Sequence, residues 1–250
     1  DATREEAAKA LAELADKSTF APLVRALEDD FWTVRMHAAW GVAKIGGPQA
    51  VEALLNVFND PIMEVRNEAV AAMAQSGPTV IDRLLKALKD ERWRVREHAA
   101  KACGELKAVQ AVDGLVAICR DRDGAVKSAA AEALGKIGEA KAVAPLINLF
   151  RDPSKTVRET AGTALVAIGQ ASVDPLLECF KDSDFVVRCH ATRALGGMTT
   201  DYQIGRPWIR DGKVIDALIG ALKDPDRAVR EDATIALGMI GDPRAIDALI

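Results

Sequence analysis

Apolar positions along this chain recur on two scales. Within short windows they follow helical spacing, as in "AVAPLINLF" (142–150) and "VIDALIGALKD" (214–224). Over longer windows one whole pattern returns about every 31 residues. A Val followed by Arg or Lys stands at Val34-Arg35, Val65-Arg66, Val95-Arg96, Val126-Lys127, Val157-Arg158, Val187-Arg188 and Val229-Arg230, with steps of 31, 30, 31, 31, 30 and 42. An aspartate precedes each Val by five residues (Asp29, Asp60, Asp90, Asp121, Asp152, Asp182, Asp224). An alanine follows each by four (Ala38, Ala69, Ala99, Ala130, Ala161, Ala191, Ala233). A fixed period of this length is the signature of a stacked array.

Each period predicts two helices joined by a short turn. The first carries the apolar windows quoted above, and the turn often holds Pro (Pro61, Pro153, Pro225). The second begins near the Val and ends at an Ile-Gly step such as Ile137-Gly138, Ile168-Gly169 or Ile240-Gly241, where Gly suits a left-handed C-terminal cap. With the Val at zero and 100° per residue, positions 0, 4, 7, 8 and 11 of the second helix share one arc. They hold Val, Ala, a small residue, mostly Leu and mostly Ile, and form the expected buried face. Position 7 is Gly or Ala throughout, so neighbouring helices can approach closely.

The predicted organisation is a single array over 1–250. It comprises a partial repeat 1–18, repeats 19–48, 49–78, 79–108, 109–140, 141–170 and 171–199, an inserted loop 200–213, a repeat 214–242 and a partial repeat 243–250. The chain opens on a second helix that has no first helix before it and stops within a first helix. Neither end supplies a polar cap, so the expectation is a segment of a longer protein.

Composition narrows the reading. Apolar residues make up 49% of the chain but aromatics only 4%, which favours close-packed helices built on Ala, Val, Leu and Ile. The net charge of −4 supplies no global basic field for nucleic acid or an anionic membrane, and no apolar run is long enough to span a bilayer. The four cysteines (Cys103, Cys119, Cys179, Cys189) form no Cys-x-x-Cys pair, which points to free thiols in a reducing cytoplasm.

The pattern D-x-x-x-x-V-R-x-x-A-A-x-A-L-G-x-I-G, clearest in "DRDGAVKSAAAEALGKIG" (121–138) and "DPDRAVREDATIALGMIG" (224–241), resembles the HEAT-like repeats of the phycobilisome-lyase type. The resemblance covers essentially the whole chain. It implies an all-α, right-handed α-α superhelix, and it is specific for fold rather than function. It also implies that the Asp and Arg columns are architecture. Asp60, Arg66, Asp90, Arg96, Asp152, Arg158, Asp182 and Arg188 would form a ladder joining adjacent turns.

In such a superhelix the second helices line the concave side, and positions 2, 6 and 10 form its floor. The charged floor residues are mixed: Lys44, Lys101, Lys136 and Arg193 against Glu97, Glu105, Glu132, Glu159 and Glu231. A nucleic-acid groove would be basic, so similarity to HEAT-like DNA glycosylases is an unattractive reading. The ends of the floor are apolar. Met36 and Trp40, with Trp32 beside them, mark one end, and Ile235 and Met239 mark the other. Exposed Met and aromatic residues are common interface anchors. Alternatively, Trp40 packs on the preceding second helix around Lys9 and Glu13.

All three histidines (His37, His98, His190) occupy position 3, each in a repeat with an aromatic at position −2 (Trp32, Trp93, Phe185). Helix layers about 8–10 Å apart put His37 and His98, two repeats apart, too far from each other to share a metal ion. The expectation is that each imidazole packs on its aromatic. HEAT-like deoxyhypusine hydroxylases hold iron with His-Glu pairs, but His37 and His190 are each followed by Ala and Glu97-His98 runs in reverse order. Cys189 beside His190 lacks an orienting third group and is expected to be a surface thiol.

The break in the rhythm, "TTDYQIGRPWIRDGK" (199–213), adds about eleven residues to the period and carries Tyr202, Ile204, Trp208 and Ile209. Tyr202 and Arg206 are candidates for partner contact, and Trp208 for packing on the stack.

No catalytic constellation, metal cluster or cofactor motif emerges. The expected function is non-catalytic binding of a protein partner through the concave face and the 200–212 loop, with Met36, Trp40, Tyr202, Arg206, Ile235 and Met239 as contacts. The alternatives are a bilin-lyase-like or tetrapyrrole-handling protein and a nucleic-acid-binding HEAT-like protein.

Overall fold

The computed structural model describes residues 2–198 and 212–250. Among them the ordered elements are helical. In chain order they are α1 (Ala2–Leu14), α2 (Phe20–Ala26), α3 (Trp32–Ile45), α4 (Gly47–Val57), α5 (Met63–Gln75), α6 (Ile81–Ala87), α7 (Trp93–Glu105) and α8 (Val112–Ile118). There follow α9 (Gly124–Ile137), α10 (Val143–Asn148), α11 (Lys155–Ile168), α12 (Val173–Glu178), α13 (Phe185–Met198), α14 (Gly212–Ala221), α15 (Arg227–Ile240) and α16 (Ile246–Leu249). Odd-numbered helices up to α13, and α15, are the long second helices of the repeats. The first helices are short, several being entered through a 3-10 turn such as Val109–Ala111 or Gly169–Ser172. Gly212 and Lys213, expected in the inserted loop, belong to α14. Tyr202 and Arg206 lie outside the described residues.

The chain divides into two compact units, 1–133 and 134–250. In the first, α3 packs on α1 and on α5, and α5 packs on α7; in the second, α11 packs on α13 and α13 on α15. Long helices thus stack side by side within each unit. Their interior is built from the repeated Val, Ala and Leu columns. Val65, Val126, Val157, Val187 and Val229 are fully buried, as are all seven alanines at position 4 and Leu134, Leu165 and Leu195 at position 8.

Position 11 is less buried than its arc suggests, because most of its side chains reach the end of the helix; Ile137, Ile168 and Ile240 are half-exposed. Position 5, outside the predicted arc, is buried instead in six repeats (Ala39, Val70, Ala100, Ala131, Gly162, Thr192). The contact face is therefore wider than the arc expected from the sequence.

Small residues permit the close stacking. A Cβ placed on Gly41 would stand 2.8 Å from the Ala12 backbone and from the Leu23 side chain. Any larger residue there would force α3 away from α1. The Ile-Gly ends behave less uniformly than expected. Gly241 is left-handed (φ 63, ψ 27), whereas Gly169 has φ 77 with ψ −132, a region open essentially to glycine alone.

Candidate functional site

The aspartate column begins as a local device. In all seven repeats the Asp Oδ1 accepts a hydrogen bond from the backbone N–H two residues on. Asp29 takes it from Phe31, Asp60 from Ile62, Asp90 from Arg92, Asp121 from Asp123, Asp152 from Ser154, Asp182 from Asp184 and Asp224 from Asp226, at 2.8–2.9 Å. This Asx turn shapes the loop and delivers the chain to the start of the second helix.

The arginine column then closes the same loop. Nη1 of Arg66 donates to the carbonyls of Asp60 (2.6 Å) and Pro61 (3.0 Å). Arg35, Arg96, Arg158, Arg188 and Arg230 repeat that clamp on their own loops.

In five of these six arginines the remaining edge of the guanidinium reaches the next repeat, where it finds one of two acceptors. Arg35 forks onto Asp60 (2.6 and 3.0 Å), Arg96 onto Asp121 (2.7 and 2.9 Å) and Arg188 onto Asp224 (2.8 and 2.9 Å). Arg66 and Arg158 instead donate through Nε to Nε2 of His98 and His190, both at 3.2 Å. The ladder predicted from Asp60, Arg66, Asp90, Arg96, Asp152, Arg158, Asp182 and Arg188 therefore has rungs of two chemistries. At the two imidazole rungs the displaced aspartates take other partners: Asp90 is forked by Arg92 (2.9 and 2.9 Å), and Asp182 pairs with Arg151.

The two buried imidazoles are seated on phenylalanines, which corrects the sequence expectation. The ring facing His98 is Phe58 (centroids 6.0 Å apart), and the ring stacked on His190 is Phe150 (5.3 Å). Each Phe lies just past the end of the first helix of the preceding repeat and is fully buried. Trp32 and Phe185 at position −2 stand exposed, and Trp93 lies under the Arg94 guanidinium (4.7 Å).

His98 Nδ1–H donates to the Arg94 carbonyl (2.8 Å), leaving Nε2 as the acceptor for Arg66. Burial is the main force that lowers both imidazoles to about 4, with Arg66 and Lys101 adding to it at His98 and Arg193 and Arg158 at His190. Both are therefore neutral acceptors near pH 7. His37 differs: it is only half-buried, and its Nε2 lies 3.8 Å from Glu5.

Cys189 is a second correction. It is 5% exposed, in a small apolar cluster with Ala221, Val229 and Ala233, because α15 covers position 2 of α13. Burial, with nearby Asp232, pushes its thiol up to about 12; burial pushes Cys103 and Cys119 to about 12 and Cys179 to about 11. These are protonated thiols without nucleophilic character at neutral pH. Asp232 itself accepts from Arg193 Nε (2.9 Å), a contact between floor and core margin that periodicity did not signal.

The predicted contact residues fall in separate places. Met36 and Trp40 are half-buried on α3. Lys44 lies over the Trp40 ring (4.6 Å) and donates to the carbonyls of Ala12 and Glu13 at the end of α1 (2.9 and 3.1 Å). Part of the Trp40 surface is thus already used in packing. On α15, Ile235 and Met239, one helical turn apart, are 56% and 47% exposed. A depression of about 540 Å³ in the first unit is lined by Lys44, Gly46, Val51, Gln75, Thr79 and Arg83. Its two cations are engaged, Arg83 with Glu52 at 3.0 Å and Lys44 as above. Among the described residues no cluster of three or more His, Cys, Asp or Glu could hold a metal ion, and no helix is long and apolar enough to cross a membrane.

Two-helix repeats stacked through their second helices and stitched by a recurrent Asp–Arg device define an all-α solenoid protein. The sequence pattern of HEAT repeats matches residues 1–74, 51–124, 112–196 and 173–250, and the chain belongs to the HEAT-repeat family. No curated protein matches its sequence. Among solved structures it is similar to Escherichia coli YibA (24% identity, TM-score 0.53, covering 91% of this chain and 84% of that one). It is also similar to the CpcE–CpcF complex of phycocyanin lyase from Nostoc sp. PCC7120 (21%, 0.45, 91% and 93%) and to human deoxyhypusine hydroxylase (22%, 0.41, 94% and 89%). At these identities the likeness is one of fold alone.

Proposed function

We propose that the chain is a non-catalytic protein-binding module that receives its partner on the concave face formed by the second helices and on the 200–212 loop. The observation that carries this reading is the pair Ile235 and Met239, large apolar side chains exposed together on α15 where an isolated solenoid face would be polar. The groups that would otherwise suggest chemistry are committed to architecture: the thiols are buried and protonated, and His98 and His190 accept hydrogen bonds from arginines. Four unpaired cysteines support a reducing, cytoplasmic setting. Met36 and Trp40 serve as a second contact area, with Tyr202 and Arg206 contributing from the loop.

The test is retention of partners by the full-length protein, comparing wild type with Ile235→Asp/Met239→Asp. Both positions are exposed, so the variant should keep its melting temperature and lose the proteins that wild type retains. Identical retention by the two would remove α15 from the interface. A visible absorbance band copurifying with the chain would replace this reading with a pigment-handling one.

A further inference from the structure

One flank of α15 differs from the same flank of the other long helices. Position 5 is buried in six repeats, whereas Thr234, the seventh, is exposed. Position 9 forms a close-packing slot. A Cβ built on Gly135 of α9 would stand 2.8 Å from the backbone of Ala164, at position 7 of α11. One on Gly196 of α13 would stand 2.8 Å from the side chain of Ala236, at position 7 of α15. On Gly238, at position 9 of α15, it would meet nothing within 4 Å among the described residues.

The flank is otherwise prepared for burial. The Thr234 hydroxyl donates to the Arg230 carbonyl (2.9 Å), as that of the buried Thr192 donates to the Arg188 carbonyl (2.8 Å), so covering it strands no polar group. Arg230 clamps its own loop through Nη1, but its other edge meets no acceptor among the described residues. Beside it, Ile246 of α16 is 54% exposed, while Ile215, the same position of the preceding first helix, is buried.

The opposite flank of α1 carries the counterparts. With Thr3 at zero, Ala7 and Ala10 stand at positions 4 and 7 and are exposed, and Leu11 at position 8 is half-buried. All three positions are buried in every complete repeat. Ala10 is the residue that Ala164 and Ala236 place in the glycine slots. Glu6 stands at position 3, where His98 and His190 accept from Arg66 and Arg158, and it forms no ion pair among the described residues.

We propose that these two flanks are halves of one interface, so that copies of this chain associate head to tail. The α1 of one copy lies beside α15 of the next as α15 itself lies beside α13. Ala10 enters the Gly238 slot, Ala7 and Leu11 turn towards Ile246, and Glu6 accepts the free edge of Arg230. Glu231, the neighbouring carboxylate on α15, is held by Arg227 (2.6 Å) and leaves Arg230 to Glu6. Different patches meet on the two copies, so the contact propagates or closes into a ring instead of pairing the same patch twice. Self-association of this kind is independent of the partner-binding reading above, whose residues Ile235 and Met239 stand at positions 6 and 10.

The test is sedimentation of the 250-residue chain over a range of concentrations. Wild type should form species larger than one copy as concentration rises. Ala10→Arg and Gly238→Arg should each stay single, and both should melt as dilute wild type does, since both sites are exposed. Mixed in equal amounts, the two variants should form a pair and nothing larger, because each retains the half that the other lacks. Gly238→Ala should weaken association while raising the melting temperature, since alanine favours the helix and its Cβ obstructs only the slot. Glu6→Ala should weaken association about tenfold. Head-to-tail association is overturned if wild type remains a single copy up to about 1 mM, if either Arg variant associates like wild type, or if the mixed variants fail to pair.

Discussion

Two rungs in the first unit, Arg96–Asp121 and Arg66–His98, start from the same arginine position and end in different chemistry. The first is a bidentate pair between two charges, both largely shielded from water. The second joins a charged guanidinium to a neutral imidazole that is wholly buried on a phenylalanine. Both repeats keep the Asx turn and both keep the arginine clamp on its own loop. What differs is only the group that meets the free edge of the guanidinium. The comparison teaches that the loop-closing role of the Asp and Arg columns is fixed, whereas the inter-repeat link is exchangeable. It can be ionic or neutral, provided an acceptor stands at the right height.

The largest test removes the support that makes an imidazole rung possible. Phe150 is fully buried under His190, so Phe150→Ala should cost about 3–5 kcal/mol in chemical denaturation. It should also let the His190 titration, followed by its imidazole NMR signals, rise towards its ordinary 6.5 as water enters. A cost close to that of a surface substitution would mean that the ring is not the seat of the imidazole.

Acid separates the two rung types. His98 and His190 are held at about 4 when folded, below the 6.5 of an unfolded chain. Their stabilisation is thus complete above 6.5 and lost as pH falls from 6.5 towards 4, by up to roughly 3 kcal/mol per imidazole. The Asp rungs fail later. Burial pushes Asp121 and Asp224 up, but hydrogen bonds from Arg96 and Arg188 and from backbone N–H groups, with the arginine charges, hold both below 3.8. Their contribution is present above 3.8 and lost as pH falls further. Denaturation midpoints measured from pH 7 to 4 should therefore decline in wild type and decline less in His98→Gln/His190→Gln. An unchanged slope would refute the assignment of those imidazoles as neutral acceptors.

Cutting the rungs at the arginine should rank them. Arg96→Ala strips Asp121 of a charged partner and should cost about 2–3 kcal/mol, while Arg66→Ala leaves a neutral acceptor unmet and should cost about 1–2. Equal losses would mean that the loop clamp, common to both, carries the whole effect. Smallest of all, Arg227→Ala breaks an exposed pair with Glu231 and should change stability by less than about 0.5 kcal/mol.

The repeat, its two helices and most of its core were legible in the sequence because the same columns return seven times. The Asp column was equally visible, but its first role was not. An Asx turn depends on backbone direction within the loop, and periodicity says nothing about that. The imidazole rungs were obscured because Arg66 and Arg96 look alike in the pattern. A signal did exist: Phe58 and Phe150 occupy the same place, seven before their Val, and each precedes a repeat with His at position 3. Phe180 occupies that place too, yet the following repeat holds Asp232, so the pairing is a tendency of this chain rather than a rule. Cys189 was misplaced because helical periodicity assigns faces to a lone helix, whereas burial at position 2 depends on where the next helix lies.

The rungs also bear on how the chain acquires its structure. Their partners are only 25 to 36 residues apart in sequence, and the Asx turns that prepare them span two. No link of this kind requires distant parts of the chain to find one another. Folding can therefore start at whichever repeat forms its loop first and spread outward by accretion, at the speed typical of topologies dominated by near-neighbour contacts.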